Sequence, residues 1–140
     1  MNNRLLILCI FAEVFLSACA AVVEVKPANP ALAIQHVCIQ ENPNVAVGEV
    51  LQALRDGFDR HGISTEVFKD TKPANCEYMV TYLADTRWEW RVFLSDAQIR
   101  IEKDGRYVAS ASLHYGKWAT GKDQSVKEKI DPLIDEMLIK

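Results

Sequence analysis

The first eighteen residues have the pattern of an export signal and are not expected to belong to the fold of the remaining chain. Arg4 gives a short positive start, Leu5 to Leu16 form an apolar run of about twelve residues, and Ser17 and Ala18 follow as small residues. This order is typical of a secretory signal peptide, although the acidic Glu13 inside the run is atypical. The run is too short to cross roughly 30 Å of hydrocarbon as a helix. We therefore predict that residues 1–18 are a cleaved leader.

The end of this leader reads Leu16-Ser17-Ala18-Cys19, which resembles the lipobox of bacterial lipoproteins. The resemblance implies that the Cys19 thiol receives a diacylglyceryl group, for which a thiolate is the required nucleophile, and that a peptidase cleaves before Cys19. In Gram-negative bacteria the new amino group is usually acylated as well. Ala20 rather than Asp follows, which by the same resemblance favours transport to the outer membrane. The alternatives are an ordinary signal peptide with a chance cysteine, or a buried apolar helix.

The remaining chain is expected to form a short tether and one domain. Residues 19–32 contain Pro27 and Pro30 and have no amphipathic period, so we predict the lipidated cysteine and a tether here, with a single domain over 33–140. Hydrophobic residues make up 49% and charged residues 25%, which are ordinary globular values and exclude a disordered chain. The formal net charge of -3 leaves no basic excess for phosphates, so nucleic acid is not an expected partner.

Hydrophobic periodicity predicts two helices and five strands in this domain. The first helix is predicted over 45–61, with Asn44 as its N-cap and Gly62 after its end. The second begins with a capping box formed by Ser125 and Glu128, and Pro132 predicts either a kink or a new helix. The strands are predicted over 33–40, 63–68, 76–85, 88–102 and 106–115.

The order β-α-β-β-β-β-α indicates an α+β fold, with a mostly antiparallel sheet of four to five strands and two helices packed on one face. The chain is similar to a family of small, poorly characterised Gram-negative lipoproteins, and in element order to small periplasmic secretion and envelope-assembly lipoprotein domains. The stretches that carry the family resemblance are Cys38-Ile39-Gln40-Glu41-Asn42-Pro43, Leu54-Arg55-Asp56-Gly57-Phe58, His61-Gly62-Ile63, Cys76-Glu77-Tyr78, Ile101-Glu102-Lys103-Asp104-Gly105 and Ile130-Asp131-Pro132-Leu133-Ile134-Asp135-Glu136.

The hairpin around Lys103-Asp104-Gly105 has two possible registers. A two-residue loop places Glu102 opposite Tyr107 and pairs Ile101 with Val108, whereas a three-residue loop pairs Ile101 with Tyr107. We predict the three-residue loop, because it keeps one face of the strand pair apolar, and we expect Gly105 at positive φ. The predicted helix-facing residues are Ile99, Ile101, Tyr107, Ala109 and Ala111. The opposite face, which is the expected docking face of a partner, is predicted to carry Gln98, Arg100, Val108, Ser110 and Ser112.

Two cysteines and three histidines are the candidates for site chemistry. In an oxidising compartment Cys38 and Cys76 on neighbouring strands are expected to form a disulfide, with free thiols as an alternative. A thiolate–imidazole metal site or nucleophile that includes His36 is a further alternative, although neither CxxC nor HExxH occurs. His61 is predicted at a helix C-terminus and His114 on an exposed strand position. We expect no metal and no cofactor.

No catalytic motif stands out. Ser110, Ser112 and His114 share a strand face, but GxSxG, GxGxxG, Walker A and EF-hand patterns are absent from the sequence. The aromatic residues Trp88, Trp90 and Trp118 form either core packing or a binding surface. The acidic residues Asp131, Asp135 and Glu136 are expected to be a solvated helix face.

These observations favour a non-enzymatic protein of the periplasmic face of the outer membrane, anchored through Cys19. We expect a binding or envelope-assembly accessory module whose partner is an unidentified envelope protein. The alternative is a periplasmic inhibitor or immunity lipoprotein that blocks a foreign enzyme. An inhibitor should present a protruding loop, and an assembly module should present an open sheet edge or groove.

Overall fold

The computed structural model describes residues 20–139, so the predicted leader and Cys19 lie outside the described residues. These residues form an α+β domain with six strands, a 3-10 turn and two helices. In chain order the elements are β1 (Val22–Lys26), the 3-10 turn (Pro30–Leu32), β2 (His36–Gln40), α1 (Gly48–Arg60), β3 (Ser64–Phe68), β4 (Tyr78–Trp88), β5 (Val92–Lys103), β6 (Arg106–His114) and α2 (Val126–Met137). Among the residues described, neither helix combines the length and apolar character needed to cross a bilayer.

The six strands form one mixed sheet in the order β1-β6-β5-β4-β2-β3. Strands β4, β5 and β6 form two consecutive antiparallel hairpins, and β1 pairs antiparallel with β6 from the other end of the chain. Strand β2 is parallel to both of its neighbours, β3 and β4. The expectation of four to five mostly antiparallel strands is therefore wrong in number and in part of the pairing. Because α1 carries the chain from β2 back to the start of β3, the two strands run in the same direction.

The added strand is β1, which lies in the segment predicted to be a tether. Val22 pairs with His114 and Lys26 with Ser110, so β1 extends the sheet beyond β6. The backbone N–H of Ala28 then donates to the carbonyl of Met137 at 2.8 Å, which fixes the following residues against α2. The alternation of valine with charged residues in Val22–Lys26 suits an edge strand, and Pro27 ends it.

The core lies between one face of the sheet and both helices. Alternate residues of the central strands point to this side, and they join the apolar stripes of the two helices in a single cluster. The fully buried side chains are those of Val37, Ile39, Val50, Leu54, Phe58, Val80, Ile99, Ile101, Ile130, Leu133, Ile134 and Met137. The other face of the sheet has no helix on it among residues 20–139.

The helix ends follow the sequence in part. Ser125 Oγ accepts from the Glu128 N–H at 3.2 Å and Glu128 Oε2 accepts from the Ser125 N–H at 2.7 Å, which confirms the capping box. Pro132 lies within a continuous helix, so no second helix begins there. Asn44 is not an N-cap, because α1 begins at Gly48 and the Asn44 N–H instead donates to the side chain of Asn42.

The β5–β6 hairpin differs from the predicted register because it combines a two-residue turn with a bulge. Lys103 pairs with Arg106 and Glu102 with Tyr107, and the register then shifts so that Ile101 pairs with Ala109. Asp104 and Gly105 both have positive φ, at 50° and 74°, as the two-residue turn requires. The predicted Ile101–Tyr107 pairing is therefore wrong, whereas the positive φ of Gly105 is confirmed.

The bulge also changes the face on which one side chain lies. Tyr107 is 52% exposed rather than buried, and the Arg100 guanidinium lies 4.9 Å from the centre of its ring. Ile99, Ile101, Ala109 and Ala111 remain on the helix side, as predicted. Val108, which was expected on the opposite face, packs against the core instead. The extra residue of the bulge reverses the alternation locally, which explains why Tyr107 and Val108 are both misassigned.

The two helices touch at Gly57, and this contact is testable. A Cβ built on Gly57 would collide with Cδ1 of the fully buried Ile134. We expect Gly57→Ala to lower the free energy of unfolding by about 1–2 kcal/mol, because overpacking outweighs a helix-propensity gain of about 1 kcal/mol. Chemical denaturation measures this. In an Ile134→Val background, which removes Cδ1, the same substitution should become neutral or stabilising.

Gly48→Ala is the matched control, since no atom lies within 4 Å of a Cβ at that position. It should leave the free energy of unfolding unchanged or raise it. An equal loss for Gly57→Ala in both backgrounds would show that the helix contact is not the cause.

Candidate functional site

All three tryptophans of the chain are exposed, and all belong to one end of the domain. Trp88 is 72% exposed, Trp90 is 95% exposed and Trp118 is 77% exposed. Trp88 and Trp90 lie at the end of the β4–β5 hairpin, and Trp118 lies in the loop after β6. We call these three residues the tryptophan tip. The core-packing alternative for them is therefore wrong, and Val92, at 63% exposure, adds apolar surface beside them.

Hydrogen bonds connect the β4–β5 hairpin to the loop that follows β6. Lys122 Nζ donates to both carboxylate oxygens of Glu89 at 2.8 Å, and also to the carbonyl of Lys117 at 2.6 Å. The guanidinium of Arg87 donates to the carbonyl of Tyr115 at 3.1 Å. Side chains that join two loops in this way reduce their freedom to move apart. The exposed rings are thus presented on a supported end of the sheet.

A buried lysine lies beneath the tip. Lys129 of α2 is only 4% exposed, and its Nζ donates to the carbonyls of Leu94 at 3.1 Å and Lys122 at 3.0 Å. The ammonium lies 5.2 Å from the ring centre of Phe93 and 4.4 Å from that of Tyr115. Burial, and then the nearby charge of Arg91, lower the pKa of Lys129. Lys129 could not be singled out from the sequence, because its position in the helix pattern is compatible with either exposure or burial.

The start of β1 lies at the same end of the sheet. Val22 pairs with His114, His114 with Asp96, and Asp96 with Asp85. From that row the β4–β5 hairpin continues for four more residues of β5 to Val92, or about 13 Å. The β5–β6 turn lies at the opposite end. The chain therefore enters the domain on the side that carries the tryptophan tip.

The uncovered sheet face is polar and slightly concave. Three adjoining depressions lie along it and share Gln98, Glu24, Leu83 and Arg100 in different combinations. Except for Leu83, which is 55% exposed, the shared lining is charged or amide side chains. Such a lining suits hydrogen bonding to a polar partner more than the enclosure of an apolar ligand. Of the predicted docking residues, Gln98, Arg100, Ser110 and Ser112 lie on this face, whereas Val108 packs against the core.

His114 is held on this face by a carboxylate that the spacing in the sequence did not reveal. Its Nδ1 bonds to Oδ1 of Asp96, and the hydroxyl of Ser95 donates to the other oxygen of Asp96 at 2.7 Å. Burial raises the pKa of Asp96, but the hydrogen bonds from His114 and Ser95 outweigh it and the pKa is lowered. Asp96 lies directly across the strand pair from His114, which only the register could show.

His61 ends α1, as predicted, and it contributes to an ionic link between the two helices. His61 Nε2 and Arg60 Nη2 both lie 2.8 Å from Oδ1 of Asp135, and Arg60 Nη1 lies 2.8 Å from Asp131. The hydrogen bond from His61, followed by that from Arg60, lowers the pKa of Asp135. Asp135 and Glu136 are exposed, as expected for a solvated face, whereas Asp131 is half-buried, and the ion pairs of Asp131 and Asp135 were not predicted.

Cys38 and Cys76 form a disulfide, as predicted, with their Cα atoms 5.8 Å apart. Cys38 is fully buried and Cys76 is 6% exposed. The link joins β2 to the residues just before β4, and it closes a span of 38 residues. In the chain-entropy model a loop of that length stabilises the fold by roughly 4 kcal/mol. Cys19, the predicted lipid site, lies outside the described residues.

The comparisons with known proteins identify a shared fold. Neither a family model nor a curated protein matches the chain. Two crystal structures of the PelC dodecamer from Paraburkholderia phytofirmans, one of them a single-substitution variant, resemble the domain. The variant has a TM-score of 0.55 at 13% identity, over 86% of this chain and 99% of that one. The second has a TM-score of 0.58 at 14% identity, over 84% and 98%. At this identity the likeness shows the fold alone.

The role of Lys129 beneath the tip can be tested by substitution. We expect Lys129→Met to lower the free energy of unfolding by about 1–3 kcal/mol, because two carbonyls lose their donor while the volume is kept. Denaturant unfolding followed by circular dichroism measures the change. Lys127→Met on the same helix is the control, since the side chain of Lys127 is 53% exposed, and it should change little. Equal effects of both substitutions would contradict this role.

Proposed function

We propose that the protein is a lipoprotein of the outer membrane, held on its periplasmic face through Cys19, that acts as a non-enzymatic binding or envelope-assembly module. One observation carries the proposal: the three exposed tryptophans lie at the end of the domain where the chain enters it. A domain that rests on the bilayer beside its anchor requires this arrangement.

The distances between the proposed anchor and the tip agree with this orientation. Cys19 precedes Val22 by three residues, so it lies at most about 11 Å beyond the row of Val22 and Asp96. The hairpin reaches about 13 Å beyond the same row. Strand β4 lies three strands from β1, or about 14 Å across the sheet. A lipid on Cys19 is therefore within reach of a position in which the tryptophan tip lies at the depth of the lipid headgroups.

The chemistry of the tip also suits a membrane surface. Tryptophan is enriched where membranes meet water, because its ring is largely apolar and its N–H remains hydrated. Cations lie beside two of the rings: Lys117 Nζ is 5.2 Å from the ring centre of Trp118, and the exposed Arg91 follows Trp90 in the chain. Positive side chains at that level attract anionic lipid headgroups.

In this orientation the sheet stands on the membrane and its polar face remains free. The face that carries Gln98, Arg100 and Ser112 is neither covered by the helices nor part of the tip. It is the surface that we assign to the partner, and its lining favours a polar partner surface.

A second function is favoured by the same hairpin. A protruding loop with a ring as exposed as that of Trp90 is also what an inhibitor inserts into a foreign active site. An inhibitor or immunity lipoprotein needs the tip in water, whereas the proposed module needs it in the headgroup layer. The position of the tip therefore separates the two functions.

Intrinsic fluorescence measures that position, because the tip contains every tryptophan of the chain. The intact protein is reconstituted into vesicles with and without brominated phospholipids. We expect strong quenching of the tryptophan emission by the brominated lipids and reduced quenching by aqueous iodide. A version that keeps only Trp90, made with Trp88→Phe and Trp118→Phe, should be quenched at least as strongly.

The matched control moves the fluorophore to the other end of the sheet. Tyr107→Trp in a background without the three native tryptophans places the ring at an exposed position near the β5–β6 turn. Its emission should be insensitive to the brominated lipids. Native emission that is equally insensitive, with full access to iodide, would contradict the membrane position and favour the inhibitor.

The anchor itself is tested by metabolic labelling with palmitate. Cys19→Ser should abolish the label, because a hydroxyl does not replace the thiolate in the lipid transfer. Cys9→Ser is the control, since Cys9 lies within the apolar leader, and the label should persist. The proposal fails if the native protein carries no label or if the label survives Cys19→Ser.

A further inference from the structure

The face of the β2–β3 pair that points away from the helices carries a second cluster of chemically capable side chains. The parallel register places His36 opposite Ser64 and Cys38 opposite Glu66. Residues two apart on a strand share a face, so all four side chains lie on the same side of the sheet. One donor atom each from His36, Cys38 and Glu66 lies within 4.8 Å of the others. Glu66 joins the cluster only through the strand pairing.

Hydrogen bonds fix which ring nitrogen of His36 faces the cluster. The hydroxyl of Ser64 donates to the carbonyl of Gln35 at 3.2 Å, so its oxygen is left to accept from His36 Nδ1 at 2.8 Å. With the proton on Nδ1, the Nε2 lone pair points into the cluster. Nε2 lies 3.8 Å from Cys38 Sγ and 3.8 Å from Glu66 Oε2. An outer hydrogen bond of this kind is the usual support of a metal-bound histidine.

Cys76, the partner of Cys38, is the candidate for a fourth donor, although its sulfur is not among the three atoms that lie within 4.8 Å of one another. Cys76 is bonded to Cys38 and follows a mostly exposed loop, 69–75, that can adjust to a changed bond length. As thiolates, the two cysteines give two sulfur donors beside one imidazole nitrogen and one carboxylate oxygen. That set matches the ligands and the coordination number that Zn²⁺ takes in proteins. In the disulfide the sulfurs are neutral and weakly basic, so the set is incomplete.

We propose that His36, Cys38, Glu66 and Cys76 form a redox-dependent binding site for one Zn²⁺ ion, which is competent when the disulfide is reduced. A dithiol is the reductant: one of its thiolates attacks the disulfide to form a mixed disulfide, and its second thiol resolves it. The dithiol leaves as a disulfide, and Cys38 and Cys76 become thiols. Binding of Zn²⁺ then displaces both thiol protons to solvent. Oxidation by a disulfide reverses the sequence and releases the ion.

The site is independent of the proposed membrane function, because its residues lie on β2, β3 and the loop before β4, away from the tryptophan tip. Its effect would be to replace one cross-link between β2 and β4 with another. The disulfide and the metal cluster both join the same segments, so the fold is held together in either redox state.

Cobalt titration of the intact protein, purified in detergent, tests the proposal. The protein is reduced with excess dithiothreitol under anaerobic conditions, and the dithiothreitol is removed before the titration. One equivalent of Co²⁺ should then bind to each chain. It should give thiolate-to-cobalt charge transfer and the visible bands of a tetrahedral ion, and Zn²⁺ should displace it. The oxidised protein should show neither signal.

Variants that leave both cysteines intact identify the ligands. His36→Asn and Glu66→Gln should each weaken binding at least tenfold, and Ser64→Ala should weaken it about 10-fold by freeing the imidazole ring. Ser110→Ala on the same sheet face should have no effect. Circular dichroism of the oxidised variants checks their folding. Equal binding by oxidised and reduced protein, or cobalt bands unchanged by His36→Asn and Glu66→Gln, would overturn the proposal.

Discussion

The ammonium of Lys129 reaches into the core between Phe93 and Tyr115 and donates to carbonyls of two separate segments. A buried charge is costly unless its hydrogen bonds are satisfied, so the geometry around it is narrowly defined. The consequence is local: α2, the β4–β5 hairpin and the loop after β6 meet at one point. The salt bridge between Glu89 and Lys122 adds a second tie above it. The exposed tryptophans depend on this support for their position.

One-sided packing determines what the rest of the sheet can do. Both helices cover the same face. Because Gly57 of α1 has no side chain, Ile134 of α2 packs directly against it and the helices lie close together. The opposite face is then left to polar side chains, whose hydrogen bonds across strands, such as that of His114 to Asp96, hold them in order. The domain thus has an apolar tip, a polar sheet face and a second sheet face whose core is covered by the helices. In the proposal the tip contacts the membrane and the polar face contacts the partner.

Sequence patterns predicted the elements whose signal is local. The periods of Val50, Leu54 and Phe58 and the capping box at Ser125 required no knowledge of distant residues, and both helices follow them. Strand β1 was missed because a five-residue edge strand before Pro27 resembles an extended tether. The side of the sheet on which Tyr107 lies was predicted wrongly, because a bulge reverses the alternation of side chains. No residue type in the sequence indicates this bulge.

Contacts between distant residues could be predicted only where the residue type itself indicates the partner, as two cysteines do. Cys38 and Cys76 were paired correctly because the expected compartment is oxidising and the strands are neighbours. The burial of Lys129 depends on how α2 packs against the sheet. The proximity of His36 to Glu66 and of His114 to Asp96 depends on strand register, which is set by the whole sheet. The exposure of the three tryptophans was left open, since the same residues pack cores in other proteins.

The central claim is the orientation of the domain on the bilayer, and lipid photo-crosslinking tests it on the unaltered protein. The protein is reconstituted with a phospholipid that carries a photoactivatable headgroup, irradiated and digested, and the modified peptides are identified by mass spectrometry. The account predicts that lipid is attached within 86–92 and 116–122, around the tryptophan tip. Lipid attached instead to the β5–β6 turn near Asp104, or to the exposed surfaces of the helices, would contradict it.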